Sequence, residues 1–315
     1  MAEDWRLLRG NAEKFHLDMS GFDTLGPFFM RLDGAFFREC VRRITGDFPL
    51  GEAEKRLPPE DLPRFLLLCV VAGYGAMEEL YREKRWPECM LREIAEDLPR
   101  WLKILERDGV GYGLTPRIFG WCRLWLNGRV KSFGRLQGED RCRFSSDIAL
   151  FRLPGGEVRT ARLPLPGSSP RPDLAPGDSV MNLHIPASGA LTREMCLASL
   201  RRMRDFAAEF HPEEEYRAVV CTSWLLDPRF RELLKPGSNI LQFQQLGHLI
   251  PLPEKDETEE VRWRIWGEAG RSMPAEELPV TNSMERGVAG FLAAGGKFRS
   301  GLLVIFRDEL PGLLG

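Results

Sequence analysis

The sequence predicts a protein between the α+β and α/β classes: a helical N-terminal domain followed by a mixed, mainly antiparallel sheet with flanking helices. Three observations carry this. Apolar residues recur at helical spacing from about residue 22 to 108; aromatic and β-branched runs separated by turn signals follow as far as about 163; strand and helix patterns then alternate to the end. A chain of 315 residues also has room for two cores, with domains expected at 1–113 and 114–315.

In the first part, Leu25, Phe29, Leu32, Phe36, Cys40 and Ile44 stand three and four apart, which predicts one amphipathic helix. Pro58, Pro59 and Pro63 introduce a second, apolar on every side from Phe65 to Ala72 and therefore central, with Asp61 as candidate cap. Two more are expected at Glu88–Glu96 and Leu98–Arg107, divided by Asp97 as a cap, with Pro99 in a first turn where its missing N–H is harmless. The glycine-rich Asp108–Gly113 closes the helical part.

Beyond it, Trp121–Leu126 and Arg129–Leu136 flank Asn127-Gly128, a hairpin signal. Further turns at Gly138–Asp140 and Pro154–Gly156 extend a meander through Arg141–Leu153 and Glu157–Leu163, and proline-rich 164–178 reads as a loop. Strands are then expected at Ser179–Ile185, Tyr216–Trp224, Asn239–Ile250, Arg262–Trp266 and Gly301–Phe306. Helices are expected at Arg193–Phe210, Pro228–Leu234 and Met284–Ala294. The long helix buries Cys196, Leu200, Met203, Ala207 and Phe210 behind a Thr192 cap.

Composition narrows the function classes. With 44 basic and 46 acidic residues the net charge is −2, which speaks against nucleic acid as the main partner. No apolar run approaches the length of a membrane span and the first residues lack a signal-peptide core, so a cytoplasmic location and no membrane partner are expected. Seven scattered cysteines without a CxxC pair read as reduced core residues. Four histidines without ligand spacing predict no metal. P-loop, GxGxxG, GxSxG and HExxH patterns are absent.

What remains is a polar set on two apolar strands. His184, with Asn182 two residues earlier on the same strand face, is a candidate proton acceptor, imidazole being the side chain that titrates near neutrality; a hydrogen-bonded structural histidine is the competing reading. Cys221, Ser223 and Trp224 lie on the next strand, Ser223 as a possible proton donor. Cys221 with His184 could form a thiol nucleophile and its base, though buried thiols are usually inert. Between the strand and the long helix, Ser188, Gly189, Ala190, Thr192 and Arg193 form a small-residue loop at a helix N-terminus, suited to an anion but equally explained by capping.

The strings SFGRLQGE (132–139), VMNLHIPASGALT (180–192), VVCTSWLLDP (219–228), GSNILQFQ (237–244) and TNSMERGV (281–288) resemble a bacterial family of acyltransferase-domain proteins with a helical N-acyltransferase N-terminal domain and a GNAT-like C-terminal domain. The resemblance implies acetyl-CoA or another acyl-CoA as co-substrate in a cleft between two splayed strands. It implies the strand with His184 as the first of the pair, pyrophosphate on Ser188–Arg193 and Cys221–Trp224 in the second; with the residues read above, His184 and Ser223 are then the expected catalytic groups and Asn182, Cys221, Trp224 and Asn239 line the substrate. The acceptor would be a small-molecule or peptide amine. The superfamily's pyrophosphate signature (Gln or Arg, two residues, Gly, any residue, Gly or Ala) is absent between 184 and 194, and Gly138 stands where an aromatic residue is expected. A noncatalytic ligand-binding or interaction protein that has lost the pyrophosphate loop is therefore the alternative.

Overall fold

A computed structural model describes residues 1–162 and 171–315, with the side chains of all of these but 253–255. The chain divides into two compact units, Met1–Ser132 and Phe133–Gly315, so the glycine-rich break at 108–113 lies inside the first.

The first unit is helical. Its centre is the helix Leu62–Ala72, in which every residue from Phe65 to Val71 is fully buried, the result expected of a segment apolar on all sides. Asp61 takes the cap position there without a side-chain capping bond. The stripe from Leu25 to Ile44 is not one helix but the ends of two, Gly26–Phe29 and Gly34–Arg42. The Asp33 carboxylate accepts the amides of Ala35 and Phe36 and so starts a new helix, while the stripe still faces inward. Asp97 is not a cap either: it begins the helix Asp97–Arg107 from inside, buried, where it accepts the indole N–H groups of Trp101 and Trp121.

The expected strand at Trp121–Leu126 is instead the helix Pro116–Leu126, started by the Thr115 hydroxyl on the Ile118 amide with proline in its first turn. Asn127-Gly128 ends that helix rather than turning a hairpin. Gly128 has φ +70°, its N–H donates to Trp125 C=O, and the Arg129 N–H donates to Leu124 C=O. This pair of bonds closes a Schellman cap, whose left-handed residue favours glycine.

The second unit is built on a mixed sheet. Numbered along the whole chain, the strands are β1 (Val130–Ser132, at the end of the first unit) and, in the second unit, β2 (Gln137–Arg143), β3 (Ile148–Arg152), β4 (Val158–Arg162), β5 (Ser179–His184), β6 (Ala218–Ser223), β7 (His248–Asp256) and β8 (Arg299–Phe306). Five strands of this unit form one sheet in the order β2-β5-β6-β8-β7, and β3-β4 form a separate hairpin. Among the described residues β5 and β6 pair in parallel and the remaining pairs of this unit are antiparallel.

Several elements differ from expectation. Gly138–Asp140 is not a turn but part of β2, whose register shifts between Glu139 and Cys142 as a bulge, with Arg141 at φ +56°. Gly138 is confined there: a Cβ would lie 2.8 Å from both Met203 and the Phe133 ring, which leaves no room for an aromatic side chain. Asn239–Gln244 is helical and only His248 onward is strand; Arg262–Trp266 lies inside the helix Thr258–Ser272. The Arg193–Phe210 helix and its Thr192 cap are as expected, though Phe210 is only half-buried. Of the proline-rich loop, residues 164–170 lie outside the described residues.

Val180, Ala218, Val220, Ile250, Leu302, Val304 and Phe306 share one face of the sheet with Leu150 and Leu174. By strand alternation Met181, Leu183, Val219 and Cys221 point to the other face. A further core of Phe230, Val261, Val288, Leu292 and Phe298 holds the C-terminal helices. Five cysteines are buried; Cys89 is exposed and Cys142 half-buried, so the cysteines are not uniformly core residues, and none forms a disulfide. No helix among the described residues is long and apolar enough to cross a membrane.

Candidate active site

The parallel ladder between β5 and β6 is short. It joins Val180 to Ala218, Met181 to Val219 and Asn182 to Val220, and there it ends. Both strands continue on their outer sides: Leu183 and His184 still pair with Gly138 and Gln137 of β2, and Cys221 to Ser223 still pair with Leu303 to Gly301 of β8. The two halves of the sheet thus separate at the C-terminal ends of their parallel strands. Backbone N–H and C=O groups along that opening need other partners, whether water or a ligand that runs between the strands.

The loop leaving β5 lies at the mouth of this opening and leads into the Arg193–Phe210 helix. It contains the predicted Ser188, Gly189, Ala190, Thr192 and Arg193. Gly189 has φ +47°, the left-handed conformation that glycine adopts without a Cβ penalty. The Thr192 hydroxyl accepts the Met195 amide, so its side chain is committed to capping. The amides of Arg193 and Glu194 have no acceptor within the helix, as in any first turn.

His184 and Asn182 are brought together, with Asn182 Nδ2 3.4 Å from His184 Nε2. The same Nε2 stands 3.5 Å from Oε2 of Glu139, a carboxylate on β2 that is nearly buried. The two contacts ask opposite things of Nε2. The carboxylate is the stronger partner, and the tautomer that donates Nε2–H to it leaves the imidazole lone pair on Nδ1. The Glu139 carboxylate thus lies beside the ring edge that carries Nε2.

The other predicted residues are dispersed. Cys221 is on the opposite sheet face from His184, since Val180 and Val220 share a face and the intervening parity differs; its thiol is pushed up to about 12 by burial. A Cys221–His184 nucleophile pair is therefore excluded. Ser223 has the same parity as Cys221, and its hydroxyl accepts the Leu225 amide. Trp224 packs its half-buried ring 5.8 Å from Phe230. Asn239 is exposed at the start of a helix instead of on a strand.

Two residues were missed at the level of sequence, Arg135 and Glu139, although both lie in the string SFGRLQGE. Glu139 becomes meaningful only through the cross-strand pairing of β2 with β5, in which it sits opposite Asn182. Among the described residues no cluster of histidine, cysteine or carboxylate side chains is arranged to hold a metal ion.

Comparison with known proteins agrees with this architecture. The profile of a family described as the GNAT-like C-terminal domain matches residues 130–303. A solved acyltransferase in complex with decanoyl-CoA superposes at a TM-score of 0.62 and 25% identity, covering 85% of this chain and 75% of that one. A second structure, an acyltransferase in complex with decanoyl-CoA and teicoplanin, gives 0.63 and 23% identity over 85% and 76% of the two chains. No curated protein gives a significant match.

Proposed function

Because the chain belongs to the GNAT-like C-terminal domain family, we propose that it is an acyl-CoA-dependent N-acyltransferase that transfers an acyl group to an amine. The observation that carries this reading is the end of the β5–β6 ladder at Asn182 and Val220 directly beside a small-residue loop and a helix N-terminus. Acyl-CoA complexes of the structural neighbours support the same choice of donor, and the teicoplanin complex supports a small-molecule acceptor.

In this reading the main-chain amides that face the opening hold the donor and polarise its thioester carbonyl. Those of the Ser188–Arg193 loop bind its pyrophosphate. His184 accepts the proton of the attacking amine at Nδ1, and Glu139 stabilises the imidazolium that results. The amine nitrogen forms a bond to the acyl carbon as the C–S bond breaks; coenzyme A departs as thiolate and regains a proton from solvent or from His184. No side chain becomes acylated, which agrees with a buried, protonated Cys221. Ser223, Cys221, Trp224 and Asn239 are given no chemical role here. The units Met1–Ser132 and Phe133–Gly315 correspond to a helical domain and a transferase domain.

Calorimetric titration with acetyl-, octanoyl- and decanoyl-CoA tests the donor site. Saturable binding with a raised Tm is expected, followed by release of the coenzyme A thiol when a panel of primary amines is added. Absence of binding at saturating donor would instead favour the noncatalytic protein suggested by the missing signature.

A further inference from the structure

We propose that Arg135 is a positioning residue that sets the direction of the amides in the β5–helix loop, and so supplies from β2's approach what the absent loop signature would otherwise supply. The inference rests on the acyl-CoA reading above. Arg135 is nearly buried, and its guanidinium donates to three carbonyls of that loop: Nε to Ala190 O at 3.0 Å, Nη1 to Pro186 O at 3.2 Å and Nη2 to Gly189 O at 3.5 Å. A trans peptide is planar, with its C=O and the following N–H pointing in opposite directions. Turning the carbonyls of Pro186, Gly189 and Ala190 toward Arg135 therefore turns the N–H groups of Ala187, Ala190 and Leu191 away from it. Three amides directed outward, next to the first turn of the Arg193–Phe210 helix, form an anion-binding concavity of the kind that takes a pyrophosphate.

The arginine is itself fixed. Phe133 N–H donates to Leu136 C=O across the turn that carries it. The Leu136 N–H donates to the Ser199 hydroxyl, which in turn donates to Met195 C=O in the long helix. The helix and the guanidinium are thus tied to one turn, and the loop between β5 and the helix is held from both ends. A lysine would retain the charge but not the three-pronged geometry, since an ammonium is a point donor on a flexible stem. Pyrophosphate recognition here is then a property of backbone direction, and Arg135 touches no donor atom.

The test compares two donors that differ in the part the loop would grip: S-decanoyl-CoA, and S-decanoyl-pantetheine, which lacks the pyrophosphate. Their Kd values are measured for the wild type, Arg135→Lys and Arg135→Met, with Tm as a check on folding. The expected result is that each variant weakens decanoyl-CoA at least fivefold more than decanoyl-pantetheine, with Arg135→Lys no better than partly rescued. Arg135→Lys also covers the case in which Arg135→Met does not fold. A smaller selective loss, or equal weakening of both donors, overturns the inference while leaving the transferase reading intact. Wild-type protein that binds neither donor sinks both.

Discussion

Replacing Glu139 by glutamine removes a carboxylate charge while keeping size and hydrogen-bonding capacity, and so isolates the part this residue plays beside His184. The separation of 3.5 Å between Glu139 Oε2 and His184 Nε2 gives a Coulomb energy of about 5 kcal/mol at an effective dielectric constant of about 20. Only part of that is realised in the transition state, where the imidazole is partly protonated, and the His184 side chain is 25% exposed. A loss of about 2–3 kcal/mol is the reasonable share, equivalent to a fall in kcat of roughly 30- to 150-fold. This reaches only the lower end of the roughly hundredfold to ten-thousandfold that general acid–base catalysis supplies, as suits a group that acts through the base. The assay is thiol release at saturating acyl-CoA with an amine identified from the panel, run alongside His184→Ala. Because Glu139 touches the imidazole and not the donor, KM for acyl-CoA should stay within about twofold in the glutamine variant. A kcat within threefold of wild type, or a KM that rises in step as kcat falls, would refute the coupling of Glu139 to proton transfer.

Three further outcomes are expected. Gly301→Ala should destabilise the second unit strongly: a Cβ there would lie 2.0 Å from the Leu226 carbonyl oxygen, a backbone atom with little freedom to yield. The cost is about 3 kcal/mol, read as a fall of about 6–12 °C in the Tm of that unit; an unchanged Tm would contradict it. Iodoacetamide at pH 8 should leave Cys221 unmodified in the folded protein and leave acyl transfer intact, since burial keeps the thiol protonated up to about pH 12; mass spectrometry of the Cys221 peptide checks it. The Thr258 hydroxyl and amide, with Arg299 and Lys297 adding to them, hold the Asp256 carboxyl below its ordinary value. A depressed folded value means stability that is fully present above the unfolded pKa near 4 and is lost as pH falls through the folded one. The Tm gap between wild type and Asp256→Asn should accordingly be constant at neutral pH and close below about pH 4; a gap that widens in acid would reverse the assignment.

How far the sequence spoke for the fold depended on which signals were local. The helix Arg193–Phe210 was legible to its ends because its apolar stripe, its Thr192 cap and the loop before it all agree. The helix Pro116–Leu126 was not, since tryptophan-rich composition argued for strand while Thr115-Pro116 argued for a helix start, and the cap decided the outcome. Asn127-Gly128 illustrates the same ambiguity, for a left-handed glycine serves a helix end as readily as a hairpin. At the site, His184 with Asn182 and the loop after them were visible as neighbours along the chain. Glu139 and Arg135 were not, because each reaches its partners through strand pairing or a folded turn more than forty residues away. Conversely, Cys221 and Ser223 looked close to His184 by strand order, and the pleat sends them to the far side of the sheet.

The ladder between β5 and β6 stops at Asn182 and Val220, which makes the sheet chemically incomplete in its interior, since the facing main chain beyond that point does not pair across it. An extended guest threaded there would behave as a surrogate strand, and its amide linkages would be read by main-chain spacing instead of by side-chain identity. Amide hydrogen exchange along Leu183–His184 and Cys221–Ser223 should then slow on occupancy, even for residues whose side chains never meet the guest.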